Sequence, residues 1–219
     1  MLDLCAAPGG KATLISQYLG NQGLLVANEV NRSRVFVLSE NIQKWGAGNT
    51  VVTHNNPDEI GYKCANLFDC IVVDAPCSGE GMFRKDHDAR NEWSLKNVKM
   101  CVERQRKILT DVWDALKPGG VLIYSTCTFN LEENDKNIIW ASEYLGAQVL
   151  PIKINPSWQI IELLEGYHFF PHLVRGEGFY ICALRKDETT YAPYKIRLPK
   201  KQPEAVENKE QLVQCLQHP

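Results

Sequence analysis

The chain has 219 residues, of which 44% are hydrophobic, and its formal net charge is −2 at pH 7. A chain of this length can bury the core of one α/β domain without disulfides or a metal. Its eight cysteines are scattered, with no CxxC pair and no histidine cluster at metal-ligand spacing, so we expect neither a metal site nor a disulfide framework. The weakly acidic charge argues against a surface that binds polyanions everywhere, so any nucleic-acid site should be local.

The chain opens with a pattern of strand, glycine turn and helix. Residues 1–5 predict a strand with nothing leading into it, so we expect the N-terminus to be truncated within this strand. After the glycine turn at residues 6–11, apolar residues recur at helical spacing as far as Gly20, a typical C-terminal stop. The same pattern repeats at residues 24–46, where a predicted strand is followed by a predicted helix.

The middle of the chain continues the alternation. Short apolar runs at residues 50–53 and 68–73 predict two more strands. A long helical segment then extends to Leu116. Residues 117–120 (KPGG) predict a turn before the strand at residues 121–124.

The last predicted helix follows a capping pattern. Asn130 and Glu133 have the spacing of a helix-capping pair, so we expect a helix from Asn130 to about Tyr144. Residues 148–152 and 178–184 can supply the last strands.

Strands that alternate with helices predict a mostly parallel sheet with helices on both faces. We expect this α/β catalytic domain to occupy residues 1–186, and residues 187–219 to be a polar linker or the start of a C-terminal extension. No apolar run reaches the roughly 18 to 20 residues of a membrane helix, and no secretory signal opens the chain. We therefore expect a cytoplasmic protein without a membrane partner.

The first glycine turn and an acid after the second strand predict a nucleotide pocket. Glycines let the backbone approach a ligand closely, and the following helix offers unpaired N–H groups at its N-terminus. Glu29 lies about 20 residues past the turn, where an acid accepts hydrogen bonds from ribose hydroxyls. The alternative is a tight connection and a solvated strand end. A GxGxxG motif is absent, which weakens a dinucleotide interpretation.

Two cysteines follow predicted parallel strands. Residues 74–79 (DAPCSG) follow one strand, and residues 125–128 (STCT) follow another. Open α/β sheets bind their ligands along the edge where such strands end. We therefore expect Cys77 and Cys127 to meet over one site, where a dehydrogenase has no evident use for them.

Three motifs stand in order along the chain. They are residues 3–11 (DLCAAPGGK), residues 68–79 (FDCIVVDAPCSG), and residues 125–128 (STCT) followed by residues 132–134 (EEN). In this order they resemble the motifs of the Sun-type (Nop/Sun) RNA cytosine-5 methyltransferases, and the similarity runs from residue 2 to about residue 186. Residues 81–86 (GMFRKD) further resemble the bacterial branch that modifies ribosomal RNA.

The resemblance implies a Rossmann-like, seven-stranded methyltransferase sheet that binds S-adenosylmethionine. The cofactor-binding residues that it implies are Cys5, Ala6, Ala7, Pro8, Gly9, Gly10, Lys11, Glu29, Asn56 and Asp74. Asn56 departs from the family pattern, which usually has aspartate after the third strand. Its amide can still hydrogen-bond the adenine amino group, but it carries no charge.

The resemblance also implies the chemistry. Carbon 5 of cytosine is a poor nucleophile until a thiolate adds to carbon 6. In the family pattern Cys127 is that nucleophile, and Cys77 promotes loss of the carbon 5 proton and release of the enzyme. Asp74 hydrogen-bonds the N3/N4 edge of the base, and Lys11 contacts the cofactor or the base. We expect the helix that begins at Asn130 to lower the pKa of Cys127.

This chemistry needs neither the other six cysteines nor the five histidines. We expect the histidines, including His168 and His172, to be packing or surface residues. We expect the cysteines to be small buried apolar side chains, namely Cys5, Cys64, Cys70, Cys101, Cys182 and Cys215.

RNA is the expected partner, because an enzyme must take a base out of its stack before acting on it. Aromatic and basic residues after Cys77 could contact the strand, although a solvated helix face is the alternative for the lysines. They are Phe83, Arg84, Lys85, Trp93, Lys96, Lys99, Arg104, Arg106 and Lys107. We expect a monomer that acts on ribosomal RNA, and a full-length protein with additional RNA-binding domains, so that this chain alone binds RNA poorly. Two alternatives stay open: the same reaction on transfer RNA, and a non-catalytic RNA-binding or assembly factor.

Overall fold

The computed structural model describes residues 1–189, which fold into a mixed β-sheet flanked by helices. The strands are β1 (Leu2–Asp3), β2 (Leu25–Asn28), β3 (Thr50–Thr53), β4 (Phe68–Asp74), β5 (Leu116–Thr126), β6 (Gln148–Leu150), β7 (Ile161–Glu162), β8 (Tyr167–Phe169) and β9 (Phe179–Arg185). The α-helices are α1 (Gly10–Leu19), α2 (Arg32–Trp45), α3 (Pro57–Lys63), α4 (His87–Glu92), α5 (Leu95–Trp113) and α6 (Asp135–Leu145).

Parallel strands form the first half of the sheet, in the order β3-β2-β1-β4-β5. β9 pairs antiparallel with β5, while β6 and β8 pair antiparallel with the other side of β9, and β7 pairs with β8. The predicted Rossmann-like α/β fold is confirmed. The described residues contribute nine strands to the sheet rather than the seven predicted. β6 and β8 pair with opposite ends of β9 and so share one position in the sheet.

Helices on the two faces bury the apolar side chains of the parallel strands. The larger core includes Leu109 and Val112 of α5, both fully buried, and the smaller one includes Ala12 of α1 and Leu38 of α2. Full burial of a leucine contributes roughly 1.5 to 3 kcal/mol relative to exposure. These cores fix the central strands, whose carboxyl ends carry the predicted site.

The long helical segment predicted to end at Leu116 is wrong in its extent. It consists of α4 and α5, and α5 ends at Trp113. Leu116 instead pairs with Phe68 of β4 as the first residue of β5, and the register shifts before the next paired residues. The predicted turn at residues 117–120 therefore lies inside β5. The short helix α3 was not predicted.

The predicted start of the last helix is also wrong, although the capping pair exists. The backbone N–H of Glu133 donates to Oδ1 of Asn130 at 2.9 Å. The helix begins only at Asp135 because Asn134 has φ −105° and ψ −96°, outside the helical region. Its side chain accepts a hydrogen bond of 2.7 Å from Thr126, so a tertiary contact holds this residue in place.

In residues 1–189 no helix combines the length and the apolar character needed to cross a membrane. The same residues hold no group of three or more histidine, cysteine, aspartate or glutamate side chains arranged to bind a metal ion. Most of the linker predicted at residues 187–219 lies outside the described residues.

Candidate active site

Contacts to the second β-α unit shape the turn between β1 and α1. The Ala6 N–H donates to Asn28 O at 2.8 Å, and the Arg34 guanidinium donates to Ala7 O at 2.5 Å. Gly9 has φ 119°, a conformation that side chains with a Cβ rarely adopt. α1 begins at the next residue, so its first amide groups, which have no helical partner, lie beside the turn.

Glu29, the predicted ribose ligand, directly follows β2, and its side chain is only 3% exposed. One carboxylate oxygen accepts a hydrogen bond from the Asn31 N–H at 2.9 Å. The other lies 3.3 Å from the Arg34 guanidinium as an ion pair, but it accepts no hydrogen bond from the described residues. A buried oxygen with unused acceptor capacity suits a hydroxyl donor of a ligand.

Asp3, the last residue of β1, begins the first motif but was not among the predicted cofactor-binding residues. It is fully buried, and neither carboxylate oxygen has a hydrogen-bond partner among residues 1–189. Burial, and next the negative charge of Asp74, raises the pKa of Asp3 to about 7. A positive ligand charge would favour the ionised form of this carboxylate. The sequence feature that could have identified Asp3 is an acidic residue within the short apolar run that forms a central strand.

Two asparagines lie near this edge of the sheet: Asn28 is the last residue of β2, and Asn56 lies between β3 and α3. The predicted adenine ligand Asn56 is exposed, and its backbone N–H donates to the Glu59 carboxylate at 2.9 Å at the start of α3. Asn28, which the motifs do not predict, is buried. Its amide donates to Leu4 O at 3.1 Å and Asn55 O at 3.0 Å. Asn28 therefore fixes the segments that follow β1 and β3 relative to β2.

These groups fit a ligand that has both hydroxyl groups and positive charge. Glu29 offers an acceptor, Asp3 offers a carboxylate without a partner, and the turn at residues 6–10 allows close backbone approach. S-adenosylmethionine has ribose hydroxyls, a sulfonium and an ammonium group. The carboxylates and the glycine turn at this edge of the sheet thus fit the predicted cofactor.

Cys77 and Cys127 meet, as their positions after neighbouring strands predict. β4 and β5 are parallel neighbours, and Asp74 pairs with Ser125 near their carboxyl ends. The loops beyond them bring the two Sγ atoms to 2.9 Å. A hydrogen bond of 2.8 Å from the Gly81 N–H to Cys127 O also joins the two loops.

The two thiols differ in their tendency to ionise. Cys127 is exposed and Cys77 is half-buried, so water solvates a thiolate better on Cys127. The Cys77 thiol donates a hydrogen bond that lowers the pKa of Cys127, and the same bond raises the pKa of Cys77. The predicted cause of the lowered Cys127 pKa is wrong, because α6 begins only at Asp135 and no helix begins at Asn130. The main cause of the lowered pKa is the neighbouring Cys77 thiol.

An ion pair stands beside the thiols. Nζ of Lys11 lies 2.7 Å from one carboxylate oxygen of Asp74, and the other oxygen accepts a hydrogen bond from the Ser125 hydroxyl at 2.8 Å. Lys11 also lies 5.4 Å from the ring centroid of Phe179. The Lys11 and Asp74 side chains are 42% and 31% exposed, so a ligand can reach both.

Of the six other cysteines, two are buried as predicted, three are half-buried, and Cys215 lies outside the described residues. The buried ones are Cys101 and Cys182, and the half-buried ones are Cys5, Cys64 and Cys70. Burial raises the pKa of Cys5 to about 12, so this thiol stays protonated at neutral pH.

His168 and His172 are a packing and a surface residue, as expected. His168 is buried, with Nε2 2.9 Å from the Asp135 carboxylate, and it stacks on Phe170. His172 is exposed. His168 is therefore a packing residue.

The predicted RNA-contacting residues divide into paired and unpaired cations. Arg84 and Lys85 both pair with Glu177, at 2.9 Å and 3.7 Å. Arg106 lies over the Trp140 ring. Three exposed cations of α5 form no ion pair in the described part of the chain, namely Lys96, Lys99 and Arg104.

A family model described as 16S rRNA methyltransferase RsmB/F matches residues 1–185. "Ribosomal RNA small subunit methyltransferase F" of Salmonella heidelberg (strain SL476) is 42% identical over 190 residues. That match covers 85% of this chain and 40% of the relative, so the chain spans well under half the length of the curated relatives it matches.

Solved structures agree with this assignment. NSun6 from Pyrococcus horikoshii, solved with the S-adenosylmethionine analogue SFG, has a TM-score of 0.70 and 30% identity, covering 84% of this chain and 47% of that chain. A methyltransferase homolog protein from the same organism has a TM-score of 0.71 and 30% identity, covering 84% and 60%. The predicted cofactor class is thus confirmed as that of the family. The chain belongs to the 16S rRNA methyltransferase RsmB/F family, and the Sun-type resemblance of its motifs is confirmed.

Proposed function

We propose that this chain is the catalytic part of an enzyme that transfers a methyl group from S-adenosylmethionine to carbon 5 of cytosine in ribosomal RNA. The observation that carries the proposal is the pair of thiols of Cys77 and Cys127, 2.9 Å apart beside the Lys11–Asp74 ion pair. Methylation of an oxygen or nitrogen needs no enzyme thiol, whereas carbon 5 must first be activated by addition at carbon 6. Membership of the RsmB/F family supports ribosomal RNA as the substrate.

The bound cofactor supplies an electrophilic methyl group on its sulfonium. With the cofactor bound, Glu29 would accept hydrogen bonds from the ribose hydroxyls, and the Asp3 carboxylate would offset positive charge. Asn56 would accept a hydrogen bond from the adenine amino group. The other residues that would hold the cofactor are Cys5, Ala6, Ala7, Pro8, Gly9, Gly10, Lys11 and Asp74.

Cys127 begins the reaction as a thiolate. Its sulfur forms a bond to carbon 6, and the electrons of the 5,6 double bond move to carbon 5, which becomes the nucleophile. Asp74 accepts a hydrogen bond from the exocyclic amino group of the base, and Lys11 holds the Asp74 carboxylate in place. Fixed partners of this kind lower the barrier because they need no rearrangement when the ring loses its conjugation.

Cys77 completes the reaction. Once Cys127 is bonded to carbon 6, it no longer accepts the hydrogen bond that raises the pKa of Cys77. Cys77 then gives its proton to solvent, and the resulting thiolate takes the proton from carbon 5. The electrons of that C–H bond re-form the 5,6 double bond, and the bond between carbon 6 and Cys127 breaks. Both cysteines return to their starting state, and one proton is released for each methyl group transferred.

The nature of the product tests this proposal. The chain is incubated with small-subunit ribosomal RNA and S-adenosylmethionine that has a labelled methyl group, and the digested nucleosides are separated by mass spectrometry. We expect the label in 5-methylcytidine. Label in a ribose or in another base would contradict the proposal. Stronger labelling of transfer RNA than of ribosomal RNA would instead favour transfer RNA as the substrate of the same reaction.

Titration calorimetry tests the cofactor site. Glu29→Gln replaces an acceptor oxygen by an amide N–H₂ group, so we expect S-adenosylmethionine to bind roughly tenfold more weakly, the effect of losing one hydrogen bond to a charged group. Glu40→Gln on the exposed face of α2 is the matched control and keeps wild-type affinity. A wild-type chain that does not bind the cofactor would favour a non-catalytic RNA-binding factor.

A further inference from the structure

A buried carboxylate connects the two loops that carry the thiols. The Glu133 side chain is fully buried. No lysine, arginine or histidine of residues 1–189 forms an ion pair with it. A buried carboxylate is costly unless hydrogen bonds satisfy it, so the contacts of Glu133 account for its place in the core.

Glu133 binds one partner in each loop and one in α5. Its Oε2 accepts hydrogen bonds from the backbone N–H of Ser78, next to Cys77, at 2.9 Å and from the Gln105 amide at 2.8 Å. Its Oε1 accepts a hydrogen bond of 2.8 Å from the Asn130 amide in the Cys127 loop. We refer to Glu133, Ser78, Gln105 and Asn130 together as the Glu133 clamp.

All three partners of the Glu133 carboxylate are donors. The Asn130 Oδ1 accepts from the Glu133 N–H at 2.9 Å, which directs the Asn130 amide N–H₂ toward the carboxylate. The Gln105 Oε1 accepts from Asn137 at 2.8 Å, which likewise orients that amide. A glutamine at position 133 has one acceptor and one donor, so it would place a donor against a donor. The clamp therefore requires a carboxylate rather than an amide of the same size.

The Cys127 loop has a second attachment that does not involve the Glu133 side chain. The Thr126 hydroxyl donates to Asn134 at 2.7 Å, and the Asn134 amide donates to Thr128 O at 3.1 Å, on either side of Cys127. The Gly81 N–H also ties the far end of the Cys77 loop to Cys127 O, so loss of the clamp should displace the segment around Cys77 and Ser78 rather than the Cys127 loop.

We propose that Glu133 is a positioning residue that holds Cys77 against Cys127 so that release of the covalent intermediate keeps pace with its formation. This inference rests on the proposed two-cysteine reaction and assigns that reaction a residue outside the thiol pair. Without the clamp, addition by Cys127 continues while proton removal by Cys77 slows, so the protein–RNA adduct accumulates.

The charge of Glu133 gives a second, separable effect. It is among the groups that raise the pKa of both thiols. Glu133→Gln removes that charge, which by itself lowers the pKa of Cys127, but it also displaces the Cys77 thiol, whose hydrogen bond is the main cause of the lowered pKa of Cys127. Gln105→Met displaces Cys77 and keeps the charge, so Cys127 should ionise at higher pH in Gln105→Met than in Glu133→Gln. A residue with only a structural role would give no such difference between the two variants.

The adduct is measured on ribosomal RNA with ordinary cytidine by denaturing gel electrophoresis, together with turnover. For Glu133→Gln we expect turnover to fall about 10- to 100-fold, the effect of one lost hydrogen bond to a charged group, while the denaturation-resistant RNA–protein band increases as it does in Cys77→Ala. Glu132→Gln, the exposed neighbour that pairs with Lys136, is the matched control and behaves as wild type.

The ionisation of Cys127 is followed by its alkylation rate with iodoacetamide as a function of pH, read for the Cys127 peptide by mass spectrometry. The midpoint should move to higher pH in Gln105→Met, because the displaced Cys77 thiol no longer donates a hydrogen bond to Cys127. It should lie at lower pH in Glu133→Gln than in Gln105→Met, because only Glu133→Gln also removes the carboxylate charge. Gln105→Met removes the hydrogen bonds of Gln105 to Glu133 and to Pro76 O, next to Cys77, and should accumulate the adduct.

The outcomes separate this inference from the proposed function. An adduct that persists in Cys127→Ala would overturn the proposed function itself. An adduct that accumulates in Cys77→Ala but in neither clamp variant would overturn only the role of Glu133. If Glu133→Gln does not fold, as judged by circular dichroism, Gln105→Met decides alone: slower turnover without adduct contradicts the inference.

Discussion

Asp3 is a single residue whose burial makes the stability of the chain depend on pH. Its pKa is raised from 3.8 to about 7 because burial disfavours the ionised form. The group binds its proton more tightly in the folded state, so its contribution to stability is complete below pH 3.8 and is lost as the pH rises through about 7. In urea denaturation we expect Asp3→Asn to flatten the decline in the free energy of unfolding over this range. The exposed substitution Asp58→Asn should keep the wild-type slope, and an equally steep decline in Asp3→Asn would contradict this assignment.

A cationic cofactor should couple to the same residue. Ionised Asp3 attracts positive charge, so the affinity for S-adenosylmethionine should increase between about pH 6 and about pH 7.5 in the wild type. Calorimetry on Asp3→Asn should show a weaker dependence over that interval. Equal dependence in both proteins would mean that Asp3 does not face the cofactor.

At the scale of residues, sequence reasoning works where a side chain belongs to a motif at a strand end. Cys77 and Cys127 were expected to meet because parallel strands end at one edge of a sheet, and they do. Asp3 was overlooked because an acid in a strand carries no sign of its burial. The role of Glu133 was partly visible as a helix cap, but its contacts with Ser78 and Gln105 join segments that are distant in the chain.

At the scale of elements, close packing of the two cysteine loops depends on a glycine. A Cβ at Gly81 would lie 2.4 Å from Cys127 O and 3.1 Å from Glu177 O, both rigid backbone atoms. We expect Gly81→Ala to lower the free energy of unfolding by about 1 to 3 kcal/mol, the usual effect of overpacking, and to reduce methyl transfer. Thermal denaturation with Gly48→Ala as the control, where a Cβ meets nothing within 4 Å, measures the difference. Equal stability of the two variants would contradict the close approach.

The elements were predicted best where apolar periodicity is strong. The ends of α1 and α2 agree with expectation, since each helix ends just before a glycine, Gly20 and Gly46. The start of α6 failed because a tertiary hydrogen bond of Asn134 overrides the local capping pattern. β7 and β8 were not predicted at all. Strands of two and three residues are too short to show an alternation of apolar and polar residues. They are stabilised by pairing, β7 with β8 and β8 with β9.

At the scale of the whole molecule, the net charge of −2 hides a local concentration of exposed cations on α5. If these cations contact phosphates, each releases counterions on binding, which makes affinity salt-dependent. Replacing Lys96, Lys99 and Arg104 together by glutamine should weaken RNA binding and reduce the slope of log affinity against log salt by roughly 2, at about 0.7 for each single-strand phosphate. The control replaces Lys44, Lys63 and Lys136, each of which pairs with an acid four residues earlier in the chain. An equal change in both variants would indicate a non-specific effect of charge.

Covalent trapping on RNA that contains 5-fluorocytidine tests the two-cysteine chemistry most directly. After methyl transfer, fluorine at carbon 5 cannot leave as a proton does, so the bond to the attacking cysteine persists. In the presence of S-adenosylmethionine, the wild type and Cys77→Ala should form a complex that survives denaturation, and Cys127→Ala should form none. A complex that is lost in Cys77→Ala and retained in Cys127→Ala would contradict the assigned order of action.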